Sequence, residues 1–296
     1  MIVLGFPGST RQAMALASRM SARYAQVEVH RFPDGESRVS LPAELPDRAI
    51  LYCSLDHPND KLVELMLAAA TARELGVRHL TLVAPYLCYM RQDKAFHPGE
   101  AVSQRVVGLF LAERVDRVVT VDPHLHRVAA LAEAVPARET ATLSAAAQMG
   151  AFLAGRSGSP VLLGPDEESA QWVSVVAAVA GLRFGVARKQ RRGDRSVRIE
   201  LPDLSFAGAD VVLVDDMAAT GRTLCAATRE VLAAGASSVN VLVTHPLFVG
   251  DAEADLHSAG VDAVWSTDSI THPSNVIFLD GILADALRGE AGVLAD

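Results

Sequence analysis

The chain has 296 residues, enough for two domains of ordinary size, and with half of them hydrophobic and 21% charged it excludes wholesale disorder. Aromatic residues make up only 5%, so the apolar weight lies in Ala, Val and Leu, which suits Val/Leu-rich parallel strands covered by Ala-rich helices. A formal charge of −8 argues against a nucleic-acid binder of the basic-patch kind and requires any anionic ligand to be held by a local site.

In chain order, short apolar runs predict strands over Ile2–Gly5, Val27–His30, Ala49–Ser54, Leu80–Ala84, Arg117–Val121, Val161–Leu163, Arg183–Ala187, Val211–Val214, Ser238–Thr244 and Ala263–Ser266. Helical spacing predicts Thr10–Arg23, Asp60–Leu75, Ala101–Arg114, Leu143–Leu153, Glu168–Ala180 and Thr220–Ala234, with a last helix over Gly281–Arg288. This βαβα rhythm defines the α/β class, with mainly parallel sheets flanked by helices. Val118-Val-Thr-Val-Asp122 and Val211-Val-Leu-Val-Asp215 echo each other, which suggests two similar domains. The expected boundaries are 1–140 and 141–280, with 281–296 returning to complete the first domain.

Cys53, Cys88 and Cys225 lie far apart with no zinc-like spacing, so a reducing, cytoplasmic setting is expected. Met1–Thr10 has no basic start of a signal peptide, and no apolar run is long enough for a membrane span. The sequence contains no GxGxxG, GxxxxGK[ST] or HExxH.

In open parallel sheets, ligands sit beyond the carboxyl ends of the strands, and several such ends carry chemistry here. Arg31-Phe-Pro-Asp-Gly-Glu36 reads as a turn between two strands. Pro85-Tyr-Leu-Cys-Tyr-Met-Arg-Gln-Asp-Lys94 follows a strand and offers Arg91, whose guanidinium can fork onto a polyphosphate, and Gln92. Val119-Thr-Val-Asp-Pro-His124 and Gly164-Pro-Asp166 end two more strands. Arg188-Lys-Gln-Arg-Arg-Gly-Asp194 is a basic segment in an acidic protein, read as a loop between two strands. The strongest signal is Val211-Val-Leu-Val-Asp-Asp-Met-Ala-Ala-Thr-Gly-Arg-Thr-Leu224. An apolar strand runs into two acids, and a short turn then opens a helix. N–H groups at a helix start, with two hydroxyls, suit a phosphate monoester, and the carboxylates can accept from vicinal sugar hydroxyls.

The Asp215–Thr223 segment resembles the phosphoribosyl-diphosphate loop shared by type I phosphoribosyltransferases and ribose-phosphate pyrophosphokinases. The other segments, in this order along the chain, resemble the pyrophosphokinases, and Lys-x-Arg-x-Gly-Asp resembles their phosphate-independent branch. The resemblance implies two phosphoribosyltransferase-like domains and transfer of the diphosphoryl group of ATP to ribose 5-phosphate. It implies that Phe32, Asp34, Glu36, Arg91 and Gln92 contact ATP, the first three in a neighbouring subunit of a homo-oligomer. It further implies that Asp215, Asp216, Ala219, Thr220, Gly221, Arg222 and Thr223 hold ribose 5-phosphate, that Lys189 and Arg191 are catalytic, and that His124 and Asp166 serve Mg²⁺. Neither nucleic acid nor membrane is an expected partner. This sequence has Ala219 where many members carry an acid, Pro123 for a usual Leu, and Phe96 where an acid is frequent. Two other readings stand beside this one: a type I phosphoribosyltransferase, and a catalytically silent subunit.

Overall fold

The computed structural model describes residues 1–125, 127–192 and 196–289, without the side chains of 190–198. They divide into two units: Met1–Leu143 with Ser269–Thr271 and the chain from Leu279 onward, and Ser144–Asp268 with His272–Phe278.

The first unit runs β1 (Ile2–Gly5), α1 (Thr10–Arg19), β2 (Arg23–Gln26), β3 (Glu28–Arg31), β4 (Ser37–Ser40), β5 (Arg48–Tyr52), α2 (Pro58–Glu74), β6 (His79–Val83), α3 (Ser103–Ala112), β7 (Arg117–Val121), α4 (Leu131–Ala134) and β8 (Glu139–Leu143). Six of the strands form one sheet, parallel throughout, in the order β2-β1-β5-β6-β7-β8. Strands β1 and β7 are buried at every position, as a parallel sheet covered on both faces requires. Their Val and Leu side chains meet helix faces rich in alanine, such as Ala68, Ala69 and Ala72 of α2. β3 and β4 stand apart as an antiparallel hairpin in which Val29 opposes Val39.

The second unit runs α5 (Ala146–Ala154), β9 (Val161–Gly164), a 3₁₀ turn (Glu167–Ser169), α6 (Ala170–Ala180), β10 (Phe184–Val186), β11 (Arg188–Arg192), β12 (Ser196–Glu200), β13 (Asp210–Ala218), α7 (Arg222–Ala233), β14 (Ser238–Pro246), α8 (Ala252–Ala259), β15 (Ala263–Thr267) and β16 (Asn275–Ile277). Its sheet, also parallel throughout, has the order β10-β9-β13-β14-β15-β16. The last helix, α9 (Asp280–Arg288), belongs to the first unit, where Asp280 pairs with Arg19 of α1 at 2.5 Å.

The two sheets share one topology. In each, the second core strand lies at an edge, the first beside it, and the remaining four follow in chain order. In each, a hairpin (β3–β4 or β11–β12) is inserted between the second and third core strands. β13 is therefore the counterpart of β5, not of β7, and the echo of Val118–Asp122 in Val211–Asp215 pairs strands that are not equivalent. The helices after β5 and β13 begin alike, from His57 (φ 47°) and Gly221 (φ 68°), both in the left-handed region.

Four expectations need correction. α1 stops at Arg19, the unforeseen strand β2 (Arg23–Gln26) joins the sheet, and the strand expected over Val27–His30 is β3 of the hairpin. β13 continues to Ala218 because it pairs with β14 as far as Ala218 opposite Pro246, so the two acids lie within the strand and not beyond it. Residues 188–192 form strand β11, held antiparallel to β12, where a loop was expected. Strands β8 and β16 and helices α4 and α8 were not foreseen, being short or largely polar, and β4 and β12 were implied only as partners of a turn and a loop, without bounds. No described helix is long and apolar enough to cross a membrane.

Candidate active site

In the second unit, Val211–Val214 anchor β13 with every side chain buried, and Asp215 and Asp216 follow near its carboxyl end. Asp216 is 3% exposed, and its backbone N–H donates to Asp215 Oδ1 at 3.0 Å. Asp166 follows the adjacent strand β9 and caps the 3₁₀ turn, its Oδ1 accepting from the Glu168 N–H at 3.2 Å. Burial, then the charges of Asp216 and Asp166, hold the Asp215 carboxyl well above the usual carboxylate range. Ala219 and Thr220 make the turn, and Gly221 begins α7; a β-carbon at Gly221 would lie 3.4 Å from the Ala252 carbonyl oxygen. Arg222 is exposed in the first turn of α7 and Thr223 half-buried. Lys189 of β11 reaches this turn, its Nζ donating to Thr223 Oγ1 at 3.3 Å.

In the first unit, the β3–β4 turn is closed by the Phe32 N–H to the Glu36 carbonyl at 2.8 Å and by the Glu36 N–H to Asp34 Oδ1 at 3.1 Å. Phe32 stays 39% exposed, its ring edge-on to His30. Arg31 moors the hairpin to α2, through Glu64 at 3.0 Å and Asp60 at 2.9 Å. Asp34, Glu36, Asp60 and Val63 line an open cleft of about 450 Å³. Tyr89 Oη donates to Asn59 Oδ1, so the first turn of α2 holds both the hairpin and the segment after β6. In that segment Arg91 is exposed, and Gln92 Oε1 accepts from Ser103 Oγ at 2.5 Å, at the start of α3. Asp93 Oδ1 accepts from Arg127 Nη1 at 2.6 Å, which ties the segment to the one holding half-buried His124.

The structure thus brings Lys189 to Thr223, and Asp166 into the field of Asp215 and Asp216. His124 and Asp166 belong to separate units. The Arg191 side chain lies outside the described residues, as do His126, Gly193 and Asp194. Glu64, Asp93 and Arg127 escape a sequence reading because their bonds are long-range and no local pattern marks them.

Among the described residues no group of three or more His, Cys, Asp or Glu side chains forms a ready metal cage. The donor chemistry at β13 nevertheless suits a hard divalent cation. Burial and the neighbouring charges of Asp216 and Asp166 disfavour the charged form of Asp215, and a cation offsets that crowding directly. The thiols do not compete for such a role: Cys53 and Cys88 are buried and both pushed up to about 12 by that burial.

Residues 141–279 match the phosphoribosyl transferase domain, which places the second unit in that class. Residues 1–114 match the N-terminal domain of ribose phosphate pyrophosphokinase. The chain is 34% identical to the ribose-phosphate pyrophosphokinase of Methanopyrus kandleri, over 99% of this chain and 100% of that one. It is 35% identical to that of Halobacterium salinarum, over 95% and 99%. Its fold matches the crystal structure of the phosphoribosylpyrophosphate synthetase from Mycobacterium smegmatis with a TM-score of 0.82 at 20% identity, covering 98% of this chain and 99% of that one. The chain belongs to the ribose-phosphate pyrophosphokinase family.

Proposed function

We propose that the chain transfers the diphosphoryl group of ATP to O1 of ribose 5-phosphate, giving phosphoribosyl diphosphate and AMP. One observation carries this reading: a buried strand carries clustered carboxylates near its carboxyl end and leads to a helix opened at Gly221, in a chain alignable from end to end with ribose-phosphate pyrophosphokinases. The N–H groups and hydroxyls of Thr220–Thr223 bind the 5-phosphate, and Asp215 and Asp216 accept from the ribose hydroxyls.

Arg91 and Gln92 bind the nucleotide's phosphates and base. Phe32, exposed on its hairpin, stacks on adenine with Asp34 and Glu36 beside it, and does so in a second copy of the chain. The O1 hydroxyl attacks the β-phosphorus. The new O1–P bond forms as the bond from that phosphorus to the α-phosphate oxygen breaks, AMP departs, and the O1 proton passes to water. Lys189, already on the sugar-phosphate turn, and Arg191 neutralise the charge on the oxygens in flight. His124, and Asp166 with its neighbours on β13, would hold Mg²⁺, which supplies charge neutralisation to the polyphosphate when bound. Three free, buried cysteines are in keeping with a reducing, cytoplasmic setting.

The test is a mixture of protein, ATP, Mg²⁺ and ribose 5-phosphate. AMP is expected only when all are present. Consumption of phosphoribosyl diphosphate with a nucleobase, without ATP, would instead indicate a phosphoribosyltransferase, and neither reaction a silent subunit.

A further inference from the structure

The turn that follows β13 is tied down from outside its own sequence. Pro246 stands opposite Ala218 in the β13–β14 ladder and has no N–H to give. The chain bends back two residues later, and the N–H groups of Phe248 and Val249 donate to the carbonyls of Ala218 and Ala219, both at 2.9 Å. Phe248 adopts φ 36°, a conformation that a bulky residue takes only when its surroundings over-determine it. The two backbone bonds restrain it on one side, and the ring of His272 packs 4.9 Å from the Phe248 ring on the other.

His272 is itself oriented at both nitrogens. Nδ1 accepts from the Ser274 N–H at 3.2 Å and lies 2.8 Å from Ser274 Oγ, so the second nitrogen carries the proton of the neutral ring. That nitrogen faces Glu253 Oε2 at 3.7 Å. Glu253 lies on α8, and Ala252 and Leu256 of the same helix pack on Gly221. A closed circuit therefore runs from the turn through Phe248, His272 and α8 and back to the turn.

We infer that Phe248 and His272 are positioning residues for the sugar-phosphate turn: they fix the carbonyls of Ala218 and Ala219, and so the spacing between the two carboxylates and the start of α7. The inference rests on the reading that this turn binds ribose 5-phosphate. A small error in that spacing weakens every contact to the sugar phosphate without touching the nucleotide residues.

The experiment compares Phe248→Leu, Phe248→Tyr, His272→Gln and Glu253→Gln with Thr223→Ala as a control for the turn itself, measuring KM for each substrate, kcat and the melting temperature. Phe248→Leu and His272→Gln are expected to raise KM for ribose 5-phosphate by about tenfold, with kcat and KM for ATP within about twofold. Phe248→Tyr, which keeps the ring, restores the parent value. Glu253→Gln, at a side chain 45% exposed, keeps the fold and raises the same KM by about threefold, so the test stands even if Phe248→Leu does not fold. If Thr223→Ala raises that KM and none of the other variants does, the positioning role is overturned. If Thr223→Ala leaves it unchanged as well, both the role and the turn's assignment fall.

Discussion

The backbone N–H of Asp216 donates to Asp215 Oδ1 at 3.0 Å, pinning one carboxylate of β13 against the residue that carries the next. With Asp166 nearby, the arrangement concentrates negative charge where half-buried Asp215 has little water to spread it. Such a site is costly to the empty protein and suited to a ligand that brings hydroxyl donors and cations.

Asp215→Asn keeps an oxygen to accept from the Asp216 N–H but removes the charge. The Asp215 carboxyl is held above its ordinary value of 3.8, so its contribution to stability is complete below that pH and is lost as pH rises through the folded-state value. The unliganded variant is therefore expected to melt higher than the parent at neutral pH, with the difference vanishing toward pH 4. Its KM for ribose 5-phosphate should rise steeply. Thermal melts across pH 4–8, with kinetics at neutral pH, check both halves.

Lys189 is exposed and its described bond is the one to Thr223. Lys189→Ala should leave the melting temperature unchanged and lower kcat by about 10²–10³, the range seen when a preorganised charge partner of a transition state is removed. Steady-state kinetics at saturating substrates measure this. A kcat within threefold of the parent would remove Lys189 from catalysis.

Glu64 receives Arg31 at 3.0 and 3.1 Å and Ser37 at 3.3 Å, while its side chain is 5% exposed. Glu64→Ala removes the buried half of the hairpin's mooring to α2 and leaves Arg31 its exposed pair with Asp60. KM for ATP should rise several-fold with KM for ribose 5-phosphate unchanged, because the hairpin carries Phe32, Asp34 and Glu36 and no sugar-phosphate residue.

Asp93 is 2% exposed at its side chain; Oδ1 accepts from Arg127, while Oδ2 is buried without a hydrogen bond among the described residues. Arg127→Ala leaves this buried carboxylate without its ion pair and should cost about 2–3 kcal/mol in chemical denaturation. Adding Asp93→Asn should recover part of that loss, since the remaining buried group is then neutral.

The fold was readable where burial on both faces writes continuous Val/Leu runs, as in Ile2–Gly5 and Arg117–Val121, whose bounds match those expected. It was not readable where strands are short and polar: Ser37–Ser40 alternates half-buried and exposed residues, and Arg188–Arg192 carries four charges in five positions. Arg188–Arg192 is a strand because of its partner Ser196–Glu200, a pairing no local propensity announces. The acids of β13 were recognisable by type, but their place inside the strand depends on β14 reaching Pro246. The repeat was visible only as rhythm; the echo of Val118–Asp122 in Val211–Asp215 matched composition and missed topology, since any buried parallel strand reads much the same. Glu64, Phe248 and His272 act through contacts far along the chain, and nothing in their own neighbourhoods marks them.

The central claim is that a diphosphoryl group moves intact from ATP to O1 of the sugar. Phosphorus NMR of a reaction of the protein with ATP, Mg²⁺ and ribose 5-phosphate tests it most directly. AMP is expected in equal amount to a new sugar product carrying two coupled phosphorus resonances beside its 5-phosphate signal. ADP with a singly phosphorylated C1, or no change in ATP at all, would contradict it.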